Sequence, residues 1–362
     1  MDVYTCTKQL IEIPSEQSKK EELFLIISFV KEYFANTNVV IREYECNGFP
    51  SIVISNKETK EFDIILSGHL DVVPADVSQY TVEETDEYIC GRGAYDMKSG
   101  VAVMMSVLKH FTRDDISVAL MLTTDEETGG FYGTKYLVEE IGYRARVVII
   151  PDGGYKESQM ALKEKGILQL KLSTTGISAH GSRPWQGDNA IESLMRSIAI
   201  VQTELDKEKT NDAQYWYTTG TLSTISGGNA KNSVPDSAFA TFDIRYTETF
   251  SVEQFVSIVQ NQVSVHKTKV EVLLCEPCVF VSSDDTYVRQ YVHAATSCGV
   301  DIVFSHDYGA SDARFFAAKY IPVILSQPSG EGMHGSDEKV FKESLRLYKD
   351  ILMVFIRDVK ME

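Results

Sequence analysis

The stretch "SVALMLTTDEETGG", Ser117 to Gly130, joins an uninterrupted apolar, β-prone run to three acids, Asp125, Glu126 and Glu127, and then to a glycine pair. An apolar run without alternation is the pattern of a strand covered on both faces, as in a parallel sheet flanked by helices. Acids placed directly after such a strand sit at its carboxyl end, where open α/β sheets bind their ligands. Other segments repeat the arrangement. "FDIILSGHLDVVP" delivers His69 and Asp71, "ARVVIIPDGG" delivers Asp152, and "IPVILSQPSGEGMHGSDE" delivers His334 shortly after its apolar run. Asp96 lies in the glycine-rich "GRGAYDMKSG", just ahead of a small-residue-rich helix beginning at Ser99. The expectation is one crevice lined by His69, Asp71, Asp96, Glu126, Glu127, Asp152 and His334.

Outward from that stretch, the first 160 or so residues alternate helical and strand patterns. "SKKEELFLIISFVKEYF" has helical spacing through Leu23, Ile27, Val30 and Phe34, "FPSIVISN" reads as a strand, and "GGFYGTKYLVEEIG" reads as a helix. From about Lys165 the order becomes β-α-β-β-α-β, that of a ferredoxin-like unit: "GILQLKLSTTG", "NAIESLMRSIAIVQTEL", "YTTGTLSTISGG", "AFATFDIRY", "SVEQFVSIVQNQVSV" and "KVEVLLC". After about Phe280 the α/β character returns, ending in the helix "ESLRLYKDILMVFI". The fold expected is an α/β domain with a mixed sheet, residues 1–164 and 280–362, interrupted by a smaller ferredoxin-like α+β domain, 165–279.

Composition removes several classes of function. With 35 basic against 52 acidic residues the net charge is −17, which repels phosphate backbones and anionic membrane surfaces, so neither nucleic acid nor a membrane is expected as a partner. No apolar run reaches the roughly 20 residues that span a bilayer, and the first residues have no signal-peptide pattern, so a cytoplasmic protein is expected. Six scattered cysteines in a chain of this length do not suggest a disulfide framework. The single CxxC, Cys275 to Cys278, falls in a strand-like run and reads as a pair of buried structural thiols.

Carboxylates crowded into one crevice repel one another and take up protons unless cations compensate them. Two divalent ions would supply that charge. Imidazoles with carboxylates and no thiolate suit zinc, with manganese or cobalt as substitutes, and the histidines argue against calcium. Taken singly, an HxD or a Glu-Glu pair is most often a solvated loop. Their common position at strand ends beside glycines is what points to a dinuclear metal site.

The segments "SGHLDVVP", "GRGAYDMKSGVA", "TTDEETGG", "PDGG", "SAHGSRPWQGDNAI", "NSVPD", "DIRY", "GASDARFF" and "MHGSDEKV" follow one another in the order seen in the cocatalytic zinc exopeptidases and deacylases, and nearly the whole chain resembles that family. It contains carboxypeptidase G, succinyl-diaminopimelate desuccinylase, acetylornithine deacetylase, aminoacylase and several di- and tripeptidases. The resemblance implies a metallohydrolase that cleaves an amide or peptide bond of a small peptide or an N-acyl amino acid. It implies Asp96 as the carboxylate shared by two metals, His69 and Asp152 on one, Glu127 and His334 on the other, Asp71 holding His69, and Glu126 as general base. The peptide after the shared aspartate is often cis in the family.

In the inserted domain the resemblance implies that His180 helps to stabilise the oxyanion from the partner subunit of a homodimer. It also implies that Asn232, Arg245 and the loop at Gly309 and Ala310 contact substrate, with an arginine able to grip a carboxylate. Desuccinylases typically carry Thr where this chain has Ala310 and Glu where it has Asp152, so the substrate class stays open between small peptides and N-acyl amino acids. A non-catalytic metal-binding relative is the alternative from another class of function; its mark would be a missing ligand or base, and none is missing.

Overall fold

In the computed structural model, which describes residues 1–111 and 115–360, the chain forms two compact units. The larger comprises Met1–Lys163, Phe280–Asp307 and Ser311–Glu362; the smaller comprises Glu164–Val279 and Tyr308–Ala310.

The larger unit is built on a nine-stranded mixed sheet. Its centre is parallel: Glu61–His69 lies between Val118–Thr123 and Arg144–Ile150, and Val323–Leu325 continues the parallel set beside Arg144–Ile150. Val118–Thr123 is buried at every residue, as a strand covered on both faces must be. At one edge Phe49–Ser55 and Val40–Cys46 add antiparallel strands. Val40–Cys46 and Gln159–Glu164 are not expected from hydrophobic pattern, because both carry charged residues and neither is buried along its whole length.

Helix Lys98–His110 is buried from Lys98 to Leu108. Its run of Ser99, Gly100, Ala102 and Ser106 leaves room for close packing; a Cβ at Gly100 would stand 2.8 Å from the side chain of Pro151. Helix Val3–Ile11, capped by the Asp2 carboxylate accepting the Thr5 amide, packs against it. Two helices are shorter than their patterns suggest. "GGFYGTKYLVEEIG" is helical only over Thr134–Glu139, and "SDARFFAAKY" only over Ala313–Ala317. In the first, Gly129 and Gly130 adopt positive φ and delay the helix start. In the second, Tyr320 turns into the left-handed region just beyond the helix end.

The smaller unit is a four-stranded antiparallel sheet in the spatial order Thr219–Gly227, Ser237–Tyr246, Gly166–Thr175, Thr268–Glu276. That order is the ferredoxin-like one. Gly166–Thr175 and Ser237–Tyr246 bury alternate residues, and Leu168, Leu170, Leu172, Ala240, Phe242 and Ile244 form a core with Leu194, Val201 and Val259 from helices Ala190–Asp206 and Val252–Val263.

The reading of the CxxC pair as buried thiols is corrected here. Cys275 is exposed and Cys278 only half-buried, because Thr268–Glu276 is an edge strand that turns much of its length to solvent. No helix among the described residues is long and apolar enough to cross a membrane.

Candidate active site

The parallel strands of the larger unit deliver their terminal residues side by side. His69 is the last residue of Glu61–His69 and pairs in register with Thr123, the last residue of Val118–Thr123. Asp125, Glu126 and Glu127 follow Thr123, and Asp152 lies two residues beyond Ile150, so three neighbouring strands present polar groups at one edge. Asp96 enters from the loop before helix Lys98–His110, and the Asp96–Met97 peptide bond is cis. His334 comes from the segment after Gly330–Glu331, with its backbone in the left-handed region at φ 60°.

These side chains form two groups. Donor atoms of His69, Asp96 and Asp152 lie within 4.8 Å of one another, and so do those of Asp96, Glu127 and His334. Asp96 belongs to both. The two imidazoles approach opposite oxygens of its carboxylate, His69 Nε2 at 3.1 Å from Oδ1 and His334 Nε2 at 2.9 Å from Oδ2. Glu127 Oε1 is buried without a hydrogen bond, and His334 Nε2 stands 3.4 Å from it. A buried carboxylate oxygen without a donor is costly unless a cation takes its place.

Charge balance points the same way. Burial opposes protonation of His69, but Asp71 and Asp96 outweigh it and hold its pKa well above the ordinary range. His334, hydrogen-bonded to Asp96 and close to the Glu127 carboxylate, is pushed up to about 10. Burial would raise the pKa of Asp96, yet the His334 and His69 contacts win and lower it. Burial raises Glu126 well above a normal carboxyl; His69 offsets part of this, and Asp152, Asp312 and Glu127 add to it. Raised pKa values at both imidazoles and at Glu126 mark a pocket with an excess of negative charge, which divalent cations would balance. The donor set of two imidazole nitrogens and three carboxylates, with one carboxylate presenting both oxygens, fits such ions.

The family now follows from the chain itself. Residues 65–358 match the family described as peptidase family M20/M25/M40. This chain belongs to that family. Succinyl-diaminopimelate desuccinylase of Paracoccus denitrificans is 30% identical over 79% of this chain and 81% of its own length. The enzyme of the same name from Nautilia profundicola is 25% identical over 92% of this chain and 93% of its own. Among solved structures, an aminopeptidase PepT from Bacillus cereus superposes with a TM-score of 0.78 at 20% identity, covering 98% of this chain and 97% of that one. A tripeptidase from Staphylococcus aureus superposes at 0.76 with 21% identity, again covering 98% and 97%. The M20 chain is a metal-dependent amidohydrolase acting on C–N bonds of small molecules, and neither the family nor the site supports a non-catalytic alternative.

Asp71 does more than face His69. Its carboxylate stands 3.5 Å from His69 Nδ1, which also meets the Asp71 carbonyl at 3.0 Å, while Oδ1 and Oδ2 accept the amides of Glu126 and Glu127 at 3.3 and 3.0 Å. One side chain thus ties the His69 strand end to the turn carrying both glutamates. Glu338, not singled out by sequence reasoning, is almost fully buried and accepts from the Arg92 guanidinium and from the amides of Gly93, Tyr95 and Asp96. Nothing in "MHGSDEKV" marks it as different from its acidic neighbour Asp337; only burial does.

In the smaller unit, His180 and Asn232 are exposed and adjacent: His180 pairs with Ser233, and the Gly181 amide donates to the Asn232 carbonyl at 2.7 Å. Arg245 is not with them. Strand Ser237–Tyr246 begins near the His180 end, whereas Arg245 lies eight residues further along, about 26 Å at the usual rise per residue. Its guanidinium already faces Asp243, with Nε donating at 2.7 Å and Nη2 at 3.4 Å. Gly309 and Ala310 group with the smaller unit through their neighbour Tyr308, whose hydroxyl donates to the Gln214 carbonyl.

Proposed function

We propose that this M20 enzyme hydrolyses the amide bond of a small peptide or an N-acyl amino acid with two divalent ions, zinc by preference, in a cytoplasmic setting. The observation that carries the reading is the sharing of Asp96 between the His69–Asp152 group and the Glu127–His334 group. In this assignment His69, Asp96 and Asp152 hold one ion, and Asp96, Glu127 and His334 the other. Ions bound there supply an acidified water and polarise the substrate carbonyl. Glu126 takes a proton from the attacking water on its carboxylate and returns it to the leaving amine nitrogen. Its raised pKa suits both halves of that transfer. Asp71 keeps His69 oriented and holds the Glu126–Glu127 turn by its amides.

His180 and Asn232 of one protomer complete the site of a second, with His180 donating to the developing oxyanion. The placement of His180 near one end of strand Ser237–Tyr246 and of Arg245 at the other supports supply from two protomers. So does the solvent-facing edge strand Thr219–Gly227, with Ile225 more than half exposed. Arg245 serves a substrate carboxylate by exchanging it for Asp243. Gly309 and Ala310 border the same substrate.

The relatives similar in sequence carry the name succinyl-diaminopimelate desuccinylase and those similar in structure include a tripeptidase and an aminopeptidase, so substrate is decided by experiment. The test is hydrolysis of a panel of dipeptides, tripeptides, acetyl-, formyl- and succinyl-amino acids and succinyl-diaminopimelate, with added Zn²⁺ or Mn²⁺ and an EDTA control. Turnover of a peptide or acyl-amino acid that EDTA abolishes is the expected result; inertness toward the whole panel defeats the reading. Sedimentation velocity tests the second protomer: a monomer with full activity removes the proposed role of His180.

A further inference from the structure

We infer that Glu338 is a positioning residue that sets both Asp96 and His334, and so controls the Glu127–His334 ion more than the His69–Asp152 ion. The inference rests on the proposed ligand roles of Asp96 and His334. Glu338 spends its two carboxylate oxygens on four donors. Oε1 accepts the amides of Tyr95 at 2.9 Å and Asp96 at 3.0 Å; Oε2 accepts the Gly93 amide at 3.0 Å and Arg92 Nη1 at 2.6 Å. Such charge-assisted bonds are the strong ones, and a buried carboxylate with donors on both oxygens is held in one geometry. The second arm runs through Arg92, whose Nη2 donates to the His334 carbonyl at 3.2 Å. Arg92 and Glu338 are both nearly fully buried, so neither has water as an alternative partner. Gln79 braces the same turns, its Nε2 donating to the Gly335 carbonyl at 2.9 Å and its own carbonyl accepting the Arg92 amide at 2.8 Å.

The consequence is asymmetric. Loss of the Glu338 charge loosens Asp96, which serves both ions, and also His334, which serves only one. The Glu127–His334 site loses the fixed position of two of its three side chains, and the His69–Asp152 site that of one. Partners that orient ligands typically change metal affinity by about 10–100-fold when removed.

The experiment is calorimetric titration of Zn²⁺ into the full-length, EDTA-treated protein, with Glu127→Ala and Asp152→Ala identifying the two binding steps, and with melting of the metal-free proteins measured in parallel. In Glu338→Gln the step lost in Glu127→Ala is expected to weaken at least tenfold and the other step by less. kcat should fall while KM stays within about twofold, since Glu338 touches no substrate. Arg92→Gln, which removes the His334 arm and one of the four donors of Glu338 but leaves the Gly93, Tyr95 and Asp96 amides in place, is expected to weaken the Glu127 step more than the other, and it decides the matter if Glu338→Gln does not fold. Unchanged binding of both ions with a lowered melting temperature, or equal weakening of the two steps, overturns the inference. If the unmutated protein takes up no zinc, the metal-centre reading itself fails, a result distinct from either.

Discussion

The Asp71 carboxylate accepts the backbone amide of Glu127 at 3.0 Å while its other oxygen accepts that of Glu126 at 3.3 Å, so the two glutamates are held by a residue 55 and 56 positions earlier in the chain. Asp71→Asn keeps the size but replaces one acceptor oxygen with a donor that faces an amide. The expected outcome is a fall in kcat of about 10–100-fold with a matching loss of zinc affinity. Steady-state kinetics and zinc titration on the same preparation check it.

Glu126 is the side chain assigned to the proton and not to an ion. Glu126→Gln is therefore expected to lower kcat by about 10³-fold, within the range for a lost general base, while the metal content stays that of the parent. Atomic-absorption stoichiometry beside the rate measurement decides between this and a ligand role, which would cost an ion.

Gly130 approaches Asp312 so closely that an added Cβ would stand 2.0 Å from Asp312 Oδ1, and its φ of +63° is one that side chains rarely adopt. Gly130→Ala must push back a buried carboxylate that also accepts the Thr134 hydroxyl at 2.5 Å. The expected cost is about 1–3 kcal/mol in chemical denaturation, with activity lost through displacement of the adjacent Glu126–Thr128 turn.

Glu16 gives a pH signature away from the ions. Burial would raise its pKa, but hydrogen bonds from Lys19 at 2.7 Å and from the Tyr80 hydroxyl at 2.7 Å lower it below 4.5. A depressed carboxyl pKa adds stability that is fully present above the unfolded value and disappears as the pH falls through the folded one. Lys19 is partly exposed, so the contribution is discounted to about 1 kcal/mol. Glu16→Gln should be less stable than the parent at pH 7, and the two should converge as the pH falls below 4.5; urea denaturation on either side of that pH measures it.

Much of the architecture was legible because burial on both faces leaves a continuous apolar run, as in Val118–Thr123, and because the β-α-β-β-α-β order of the smaller unit is carried by clear periodicities. Strand Val40–Cys46 escaped notice because it lies at the sheet edge and carries Arg42, Glu43 and Glu45, whose charges hide its pairing with Phe49–Ser55. The thiols of Cys275 and Cys278 were misplaced for the converse reason: an apolar sequence on an edge strand need not be covered.

By itself the sequence determined which side chains stand at the carboxyl ends of the central strands, because a short polar motif after an apolar run has one place to go in an open α/β sheet. Only the tertiary structure decided how they are held. The amides that meet Asp71 and Glu338, the arm from Arg92 to His334, and the Asp243 partner of Arg245 depend on which backbone groups are buried opposite one another. A carboxylate in water and one enclosed by four donors are the same letter in the chain; desolvation separates them, and desolvation is a property of the folded molecule.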